Sequence, residues 1–175
     1  MKTIISAIDA GNRLIGYLLG LLLSAMLLCI LLQVVVRFIL TFLGINVAVP
    51  WSEEVARYLM IWIVFLGAAV ACRRAQLISL EMVVGALPDW LGQVLRYSAL
   101  VVCLLFFVLL LDLGLQFVDF GGIERSPVMS ISKVWVYWAL PVGAFLMIVN
   151  TLALILESAV EKCDIRFIGR TEAME

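Results

Sequence analysis

The sequence predicts an all-α integral membrane protein with four transmembrane helices and with both termini on the cytoplasmic side. Hydrophobic residues make up 65% of the chain and charged residues only 14%, whereas soluble domains contain about 45–50% and about 25%. A soluble fold of 175 residues could not cover that much apolar surface, but a bilayer is itself an apolar solvent. Two further observations, the lengths of the apolar runs and the distribution of Lys and Arg, predict the number of spans and their direction.

The apolar runs define four spans in one membrane domain that covers residues 1–175. The first run has 23 uncharged residues, and at about 1.5 Å per residue it is long enough to cross the hydrocarbon layer of about 30 Å. It is also longer than the core of a signal peptide, which has about 7–15 residues, so we interpret it as a span. The predicted spans are residues 14–36, 52–72, 97–118 and 134–156.

Helix-breaking residues mark the start of the second span and a bend in the fourth. Pro50 ends a short outer loop, and the hydroxyl of Ser52 is predicted to accept a hydrogen bond from the first-turn amides of the second span. Pro141 lies in the first third of the fourth span, where it removes one backbone donor. A kink is therefore predicted there, with neighbouring helices covering the freed carbonyl.

The segment between the second and third spans differs from the other connections. Residues 76–90 mix apolar and polar side chains without a regular period. Pro88 breaks this segment, and Trp90 suits the level of the lipid headgroups. We predict a short interfacial helix over residues 76–90, and a polar cytoplasmic tail over residues 157–175.

The distribution of basic residues predicts the orientation. Four of the 12 Lys and Arg residues lie on the outer side of the predicted spans and the remaining eight on the inner side. Because cytoplasmic segments of membrane proteins are enriched in Lys and Arg, the N-terminus is predicted inside. An even number of spans then places the C-terminus inside as well. The eight inner residues are Lys2, Arg13, Arg73, Arg74, Arg96, Lys162, Arg166 and Arg170.

Composition argues against several function classes. The chain contains no His, the commonest general base and metal ligand, so we predict no catalytic or metal site and no enzyme activity. A net charge of -1 without a basic tract argues against a nucleic-acid partner. The four Cys residues are widely separated, which is typical of small apolar core residues and not of a metal site or a disulfide framework.

Polar residues inside the spans are few. Asp112 is the best candidate for an ion site, but its position about two thirds along the third span favours a polar contact near the outer side. Gln33 and Asn150 are interpreted as contacts near span ends or between helices. Discontinuous helices and inverted repeats, which build the substrate sites of secondary carriers, are not visible in the sequence. We infer that the chain does not carry a solute alone.

Three groups of residues have two interpretations each. The acidic pair Glu53 and Glu54 with Arg57 fits helix capping and an i, i+4 ion pair, or a docking site for a partner on the outer face. Arg73 and Arg74 fit topology and contact with anionic lipid, or a partner contact. The small residues from Gly67 to Ala71 suit close helix packing, either within the chain or against another protein.

Several short motifs together resemble one family. Their order is Trp51-Ser-Glu-Glu54, Phe65-Leu-Gly67-Ala-Ala69, Arg73-Arg74 and Ile78-Ser-Leu-Glu81, followed by Ser126-Pro127 and Trp135-Val-Tyr137-Trp-Ala-Leu-Pro141-Val-Gly143. This pattern, over about residues 14–157, resembles the small membrane subunit, or DctQ type, of tripartite ATP-independent periplasmic (TRAP) transporters. The chain departs from the family at Leu77, where a His is frequent, and at Glu81, where an Asp is frequent, so only the carboxylate is retained in type.

The resemblance implies a supporting role in the bacterial inner membrane. Such subunits pair with a large multi-span subunit that binds substrate and sodium, while a periplasmic binding protein delivers an organic anion. The small subunit would be a scaffold, embedded in membrane lipid, with no cofactor of its own. The candidate interface residues are Trp51, Glu53, Glu54 and Arg57 at the outer end, Gly67 and Ala68 within the membrane, and Arg73, Arg74 and Glu81 inside.

The alternative is a four-span membrane protein that acts alone, such as a small exporter, a channel or an assembly factor. A small exporter is expected to carry a carboxylate within its first span, and residues 14–36 contain none. A quinone-binding or haem-binding anchor usually needs His ligands, which the chain lacks. Purification of the chain without a large partner would favour a channel or an assembly factor.

Overall fold

The structure is a computed structural model that describes residues 2–40, 42, 44, 49–74 and 88–161. Within these residues it has four long apolar helices, each able to cross a membrane by length and composition, and this confirms the predicted all-α fold with four spans. A short π-helix, Val35–Leu40, continues the first helix. The α-helices are α1 Lys2–Val34, α2 Pro50–Arg73, α3 Asp89–Gly121, α4 Val134–Tyr137 and α5 Ala139–Glu161.

The long helices extend beyond the uncharged runs that predicted them. Helix α3 begins at Asp89, so Asp89 and Trp90 belong to its first turn and not to a separate interfacial helix. Residues 75–87, which hold most of that predicted helix and the candidate Glu81, lie outside the described residues. Helix α5 continues to Glu161, past the predicted end of the fourth span. Charged residues that flank an apolar run are tolerated in a helix because their heads can reach the interface.

The long helices pack side by side in a row. Helix α1 packs against α2, α2 packs against α5, and α5 packs against α3, with only a minor contact between α1 and α5. The order in space is therefore α1, α2, α5, α3. In the span that contains α5, half of the most apolar stretch is buried. In the span that contains α1, none of the corresponding stretch is buried. The row thus leaves the outer helices broadly exposed.

A close helix crossing joins α2 and α5. A Cβ atom added at Gly143 of α5 would lie 2.6 Å from the Cβ of Phe65 and 3.2 Å from its backbone oxygen. Only glycine allows the two backbones to approach so closely. The buried core beside this crossing combines residues from α2, α3 and α5, namely Ala69, Cys72, Phe107 and Met147.

The fourth span is interrupted between α4 and α5, close to the position of the predicted kink. The break falls at Trp138, three residues before Pro141. Proline has no N–H to bond the carbonyl of Tyr137, and its ring crowds that carbonyl. The helix resumes with a bond from the Val142 amide to the Trp138 carbonyl at 3.2 Å.

The predicted role of Ser52 as a helix cap is wrong. Helix α2 begins two residues earlier, at Pro50, because proline is favoured in the first turn, where a missing N–H costs nothing. Ser52 is fully buried, and its hydroxyl donates to the Val49 carbonyl at 2.8 Å. The residue therefore fixes the entry of the chain into α2 instead of accepting from the first-turn amides.

Candidate functional site

Polar side chains gather at the two ends of the row. We call one the Arg73 end, defined by Asp9, Arg73 and Glu157, and the other the Glu54 end, defined by Glu54 and the loop that contains Ser126. Helix α1 begins and α5 ends at the Arg73 end, so both outermost described ends of the chain lie on the same side. This arrangement is the one that four antiparallel crossings require.

At the Arg73 end, one buried arginine ties three helices together. The side chain of Arg73 is only 8% exposed, and its Nε donates to Asp9 Oδ1 of α1 at 2.8 Å. Its Nη1 donates to Glu157 Oε2 of α5 at 2.5 Å. Charge-assisted bonds of this kind are among the stronger ones in proteins. Arg73 is thus an internal anchor, a role that neither interpretation from the sequence included.

One helical turn deeper, two amide side chains form a reciprocal pair. Asn12 Nδ2 donates to Asn150 Oδ1 at 2.7 Å, and Asn150 Nδ2 donates to Asn12 Oδ1 at 2.9 Å. Asn150 Nδ2 also donates to the Ala69 carbonyl at 2.7 Å. Asn150 is 2% exposed, so its polar atoms need these partners. The interpretation of Asn150 as a contact between helices is confirmed.

At the Glu54 end, a buried carboxylate fastens the loop between α3 and α4. Glu54 is 8% exposed, and its carboxylate accepts from the Ser126 hydroxyl in a short hydrogen bond. It also accepts from the Tyr58 hydroxyl at 2.7 Å and from the Met129 amide at 3.1 Å. Glu54 therefore anchors this loop within the chain.

The same loop carries an exposed ion pair. Lys133 Nζ lies 2.8 Å from Glu124 Oε2, and the Tyr137 hydroxyl donates to the same oxygen at 2.8 Å. The hydrogen bond from Lys133, followed by that from Tyr137, lowers the pKa of Glu124. The hydrogen bond to Glu124 raises the pKa of Lys133. The pair therefore stays charged at neutral pH.

The remaining outer candidates are accessible. Glu53 Oε1 pairs with Arg57 Nη2 at 2.9 Å, with both side chains more than half exposed, so the predicted i, i+4 ion pair is confirmed. Trp51 is 43% exposed. Glu53 and Arg57 line a cleft of about 400 Å³ that lies between the start of α2 and residues 127–137. This cleft offers an acidic group, a basic group and aromatic edges to the outside.

The candidates inside the membrane differ from one another. A Cβ added at Gly67 would meet no atom within 4 Å, so Gly67 does not support packing within the chain. Ala68 packs against the core cluster. Asp112 accepts a hydrogen bond from Gln116 at 3.0 Å on its own helix. Among the described residues, no group of three or more Cys, Asp and Glu side chains could hold a metal ion.

Removal of the Glu54 carboxylate should release the loop locally. In Glu54→Ala, the Met129 amide and the Ser126 hydroxyl lose an acceptor, at a cost of about 1–3 kcal/mol. We expect amide exchange at Met129 to rise by about 10-fold to 100-fold, measured by hydrogen–deuterium exchange in detergent. Glu53→Ala is the matched control, because its exposed carboxylate bonds to Arg57 and Gln33, which lie outside the loop. Equal exchange in both variants would contradict this role of Glu54.

Comparison with known proteins matches most of the chain to one family. The family described as "Tripartite ATP-independent periplasmic transporters, DctQ component" matches residues 26–161. The match includes α2, α3, α4 and α5 and the last turns of α1, so it covers all the packed core.

Two relatives are named as parts of sialic acid transporters. The small permease protein SiaQ of Vibrio cholerae is 28% identical over 102 residues, which are 58% of this chain and 59% of that protein. The permease protein SiaT of Haemophilus influenzae is 29% identical over 100 residues, which are 55% of this chain but only 16% of that protein. The matched regions thus span less than two thirds of either relative.

The family match and the four long apolar helices agree with each other and with the resemblance of the short motifs. Because the family pattern covers well over half of the chain, membership does not depend on any single motif. The departures at Leu77 and Glu81 do not prevent the match, which runs through both positions. The chain belongs to the DctQ component family, the small membrane subunits of the TRAP transporters.

Proposed function

We propose that this chain pairs with a large multi-span TRAP subunit in the bacterial inner membrane, with both its termini in the cytoplasm. The large subunit would carry out sodium-coupled uptake of an organic anion that a periplasmic binding protein delivers. The chain itself would neither bind the solute nor catalyse a reaction. The observation that carries the proposal is the open row of helices, which ties its own members together and leaves both outer helices exposed.

The outer face of α1 is apolar and exposed along much of its length. Leu14, Leu21 and Leu28 follow each other at seven-residue spacing along α1, and each is at least 67% exposed. This spacing keeps them on one face of the helix. A continuous apolar face of that kind can pack against another membrane helix as well as against lipid.

The relatives support a large membrane partner. The region of SiaT that resembles this chain is 16% of a protein named as a permease, so most of that permease lies outside the matched region. SiaQ, which is named as a small permease protein, matches over a larger share of its length. We infer that this chain forms a separate subunit that corresponds to the matched region of SiaT, which is part of one longer polypeptide.

The polar ends fit a rigid supporting role. Arg73 joins α1, α2 and α5, and Glu54 joins α2 to the loop before α4. Such ties would hold the row as a fixed wall against which a moving transport domain of the large subunit could work. The exposed Glu53, Arg57 and Trp51 would remain available at the outer end for the large subunit or the binding protein.

Gly67 provides a test of where the partner packs. In Gly67→Leu, the side chain enters open space, and glycine is a poor helix former in a helix interior, so the free energy of unfolding should stay equal or rise slightly. If the large subunit packs closely at this position, overpacking of about 1–3 kcal/mol should lower its recovery with the chain by about 5-fold to 100-fold. Affinity purification with quantified subunit ratios measures the effect.

Gly67→Ala is the matched control for that experiment, since it adds a single methyl group at the same position. Full recovery of the large subunit with both variants would remove Gly67 from the proposed interface. A loss of chain stability in Gly67→Leu would contradict the open environment of this residue in the structure.

The transport role itself is tested by uptake into proteoliposomes. Vesicles would contain a large TRAP subunit from the same organism, with or without the chain. They would receive a TRAP binding protein from that organism, a sodium gradient and a panel of labelled organic anions that includes sialic acid and dicarboxylates. We expect sodium-dependent uptake only when all three proteins are present. Equal uptake without this chain would contradict the proposal.

A further inference from the structure

A cleft opens between α1 and α2 at the Arg73 end. It has a volume of about 560 Å³, within the range of about 300–1,000 Å³ that is typical of small-ligand sites. Its wall includes Arg13, Gly16 and Tyr17 of α1 and Val70 and Arg74 at the end of α2. The cleft is distinct from the Glu54 end and from the cleft at the start of α2.

Two arginines of this cleft have no partner among the described residues. The guanidinium groups of Arg13 and Arg74 form no hydrogen bond or ion pair with any described residue, and both residues are exposed. Arg73 and Asp9, which also line the cleft, are already bonded to each other. Arg73, Asp9 and Glu157 together carry one net negative charge, so the two remaining arginines leave the cleft region with a net positive charge.

Both arginines lie next to the ends of long uncharged runs. Arg13 directly precedes the uncharged run 14–36, and Arg74 follows Arg73, the first charged residue after the uncharged stretch 58–72. Because the two runs are antiparallel neighbours in the row, the arginines flank the same edge of the apolar layer. Guanidinium groups bind phosphate oxygens through paired hydrogen bonds.

The cleft also continues into an apolar surface. A Cβ added at Gly16 would meet no atom within 4 Å, so the side of α1 that faces the cleft is open. Tyr17 is 73% exposed and Leu14 is 70% exposed, and both lie beside Arg13 on α1. A phosphate held by the arginines would therefore have an acyl chain path along α1.

We propose that this cleft binds the headgroup phosphate of an anionic phospholipid, held between Arg13 and Arg74 with its acyl chains along α1. The occupant is a lipid and not a free phosphate ion, because the cleft joins a basic rim to an exposed apolar helix face. Binding there would add a lipid contact to the α1–α2 pair beside the Arg73 anchor.

The test uses native mass spectrometry on the full chain in a neutral detergent, with matched molar amounts of phosphatidylglycerol or phosphatidylcholine. The double variant Arg13→Gln with Arg74→Gln removes the proposed headgroup contacts. The variant Gly16→Leu fills the open side of the cleft without changing charge. The control, Arg37→Gln with Arg57→Gln, removes two positive charges from the opposite end of the row. Thermal unfolding of the chain, measured with phosphatidylglycerol and separately with inorganic phosphate, tests whether a free anion binds as well as the lipid does.

We expect retained phosphatidylglycerol to exceed phosphatidylcholine, and to fall by about 10-fold or more in the double variant, since both charge-assisted contacts to the phosphate are lost. Gly16→Leu should also lose phosphatidylglycerol, while the control pair retains it. The proposal is overturned if phosphatidylcholine binds equally well, if the control pair loses lipid to the same extent, or if inorganic phosphate stabilises the chain as much as phosphatidylglycerol does.

Discussion

Replacement of Arg73 by Gln is expected to destabilise the isolated chain by about 2–3 kcal/mol. Breaking a buried ion pair by removing one partner costs about 3–5 kcal/mol, and the value is reduced here because Asp9 is 46% exposed. The loss arises because Asp9 and Glu157 keep their charges without the guanidinium that neutralises them. Reversible unfolding in mixed detergent micelles measures the change in free energy.

The neighbouring Arg74 provides a matched control for Arg73. Arg74→Gln removes the same charge one residue later, and its guanidinium has no partner among the described residues, so we expect a change within about 0.5 kcal/mol. Combining Arg73→Gln with Asp9→Asn and Glu157→Gln should restore part of the lost stability, because the uncompensated charges disappear. Equal destabilisation by Arg73→Gln and Arg74→Gln would contradict the anchor role of Arg73.

Gly143→Ala is expected to cost about 2–3 kcal/mol, near the upper part of the range for overpacked cores. The new methyl group would lie 2.6 Å from the Cβ of Phe65, so α2 and α5 must move apart. These two helices form the middle of the row, and their separation would loosen the contacts of α1 and α3 as well. Unfolding in mixed micelles again provides the measurement.

Two further variants define the cause of that effect. Gly67→Ala places the same methyl group on α2 in open space, where it should be neutral or stabilising by up to about 1 kcal/mol. Phe65→Ala should not rescue Gly143→Ala, because alanine keeps the Cβ atom that collides. A full rescue by Phe65→Ala would show that the ring of Phe65, and not the backbone spacing, limits this crossing.

The spans could be predicted from the sequence because lipid imposes a strong local requirement. An apolar run of about 20 residues must satisfy its backbone internally, and a helix does so without reference to the rest of the chain. The helix break before Pro141 and the ion pair of Glu53 with Arg57 could also be predicted. Each depends on residues no more than four positions apart.

The order of the helices in the row could not be predicted in this way. Helices that are apolar on nearly every side carry little information on which face packs inward. The partners of Arg73 lie 64 and 84 residues away in the sequence, and Asp9 and Glu157 gave no signal as members of a site. The one available hint was that three ionisable residues, each near the inner end of a different helix, would be brought together by antiparallel packing.

Ser52 and Glu54 show a second limit. A serine before two glutamates is typical of a helix start, but α2 starts two residues earlier, at Pro50. Ser52 therefore lies inside the helix and is buried. Glu54 then faces the loop between α3 and α4, where Ser126 and Met129 bind it. The resemblance of short motifs included Glu54 and Ser126 separately, and only the structure joins them in one contact.

The most direct test of the central claim is the composition of the complex that this chain forms. The tagged chain would be expressed with its chromosomal neighbours, extracted in a mild detergent and analysed by mass spectrometry and by the mass of the intact particle. The account predicts a large multi-span membrane protein at a ratio of one to one. A particle that contains only copies of this chain would contradict it and would favour a four-span protein that acts alone.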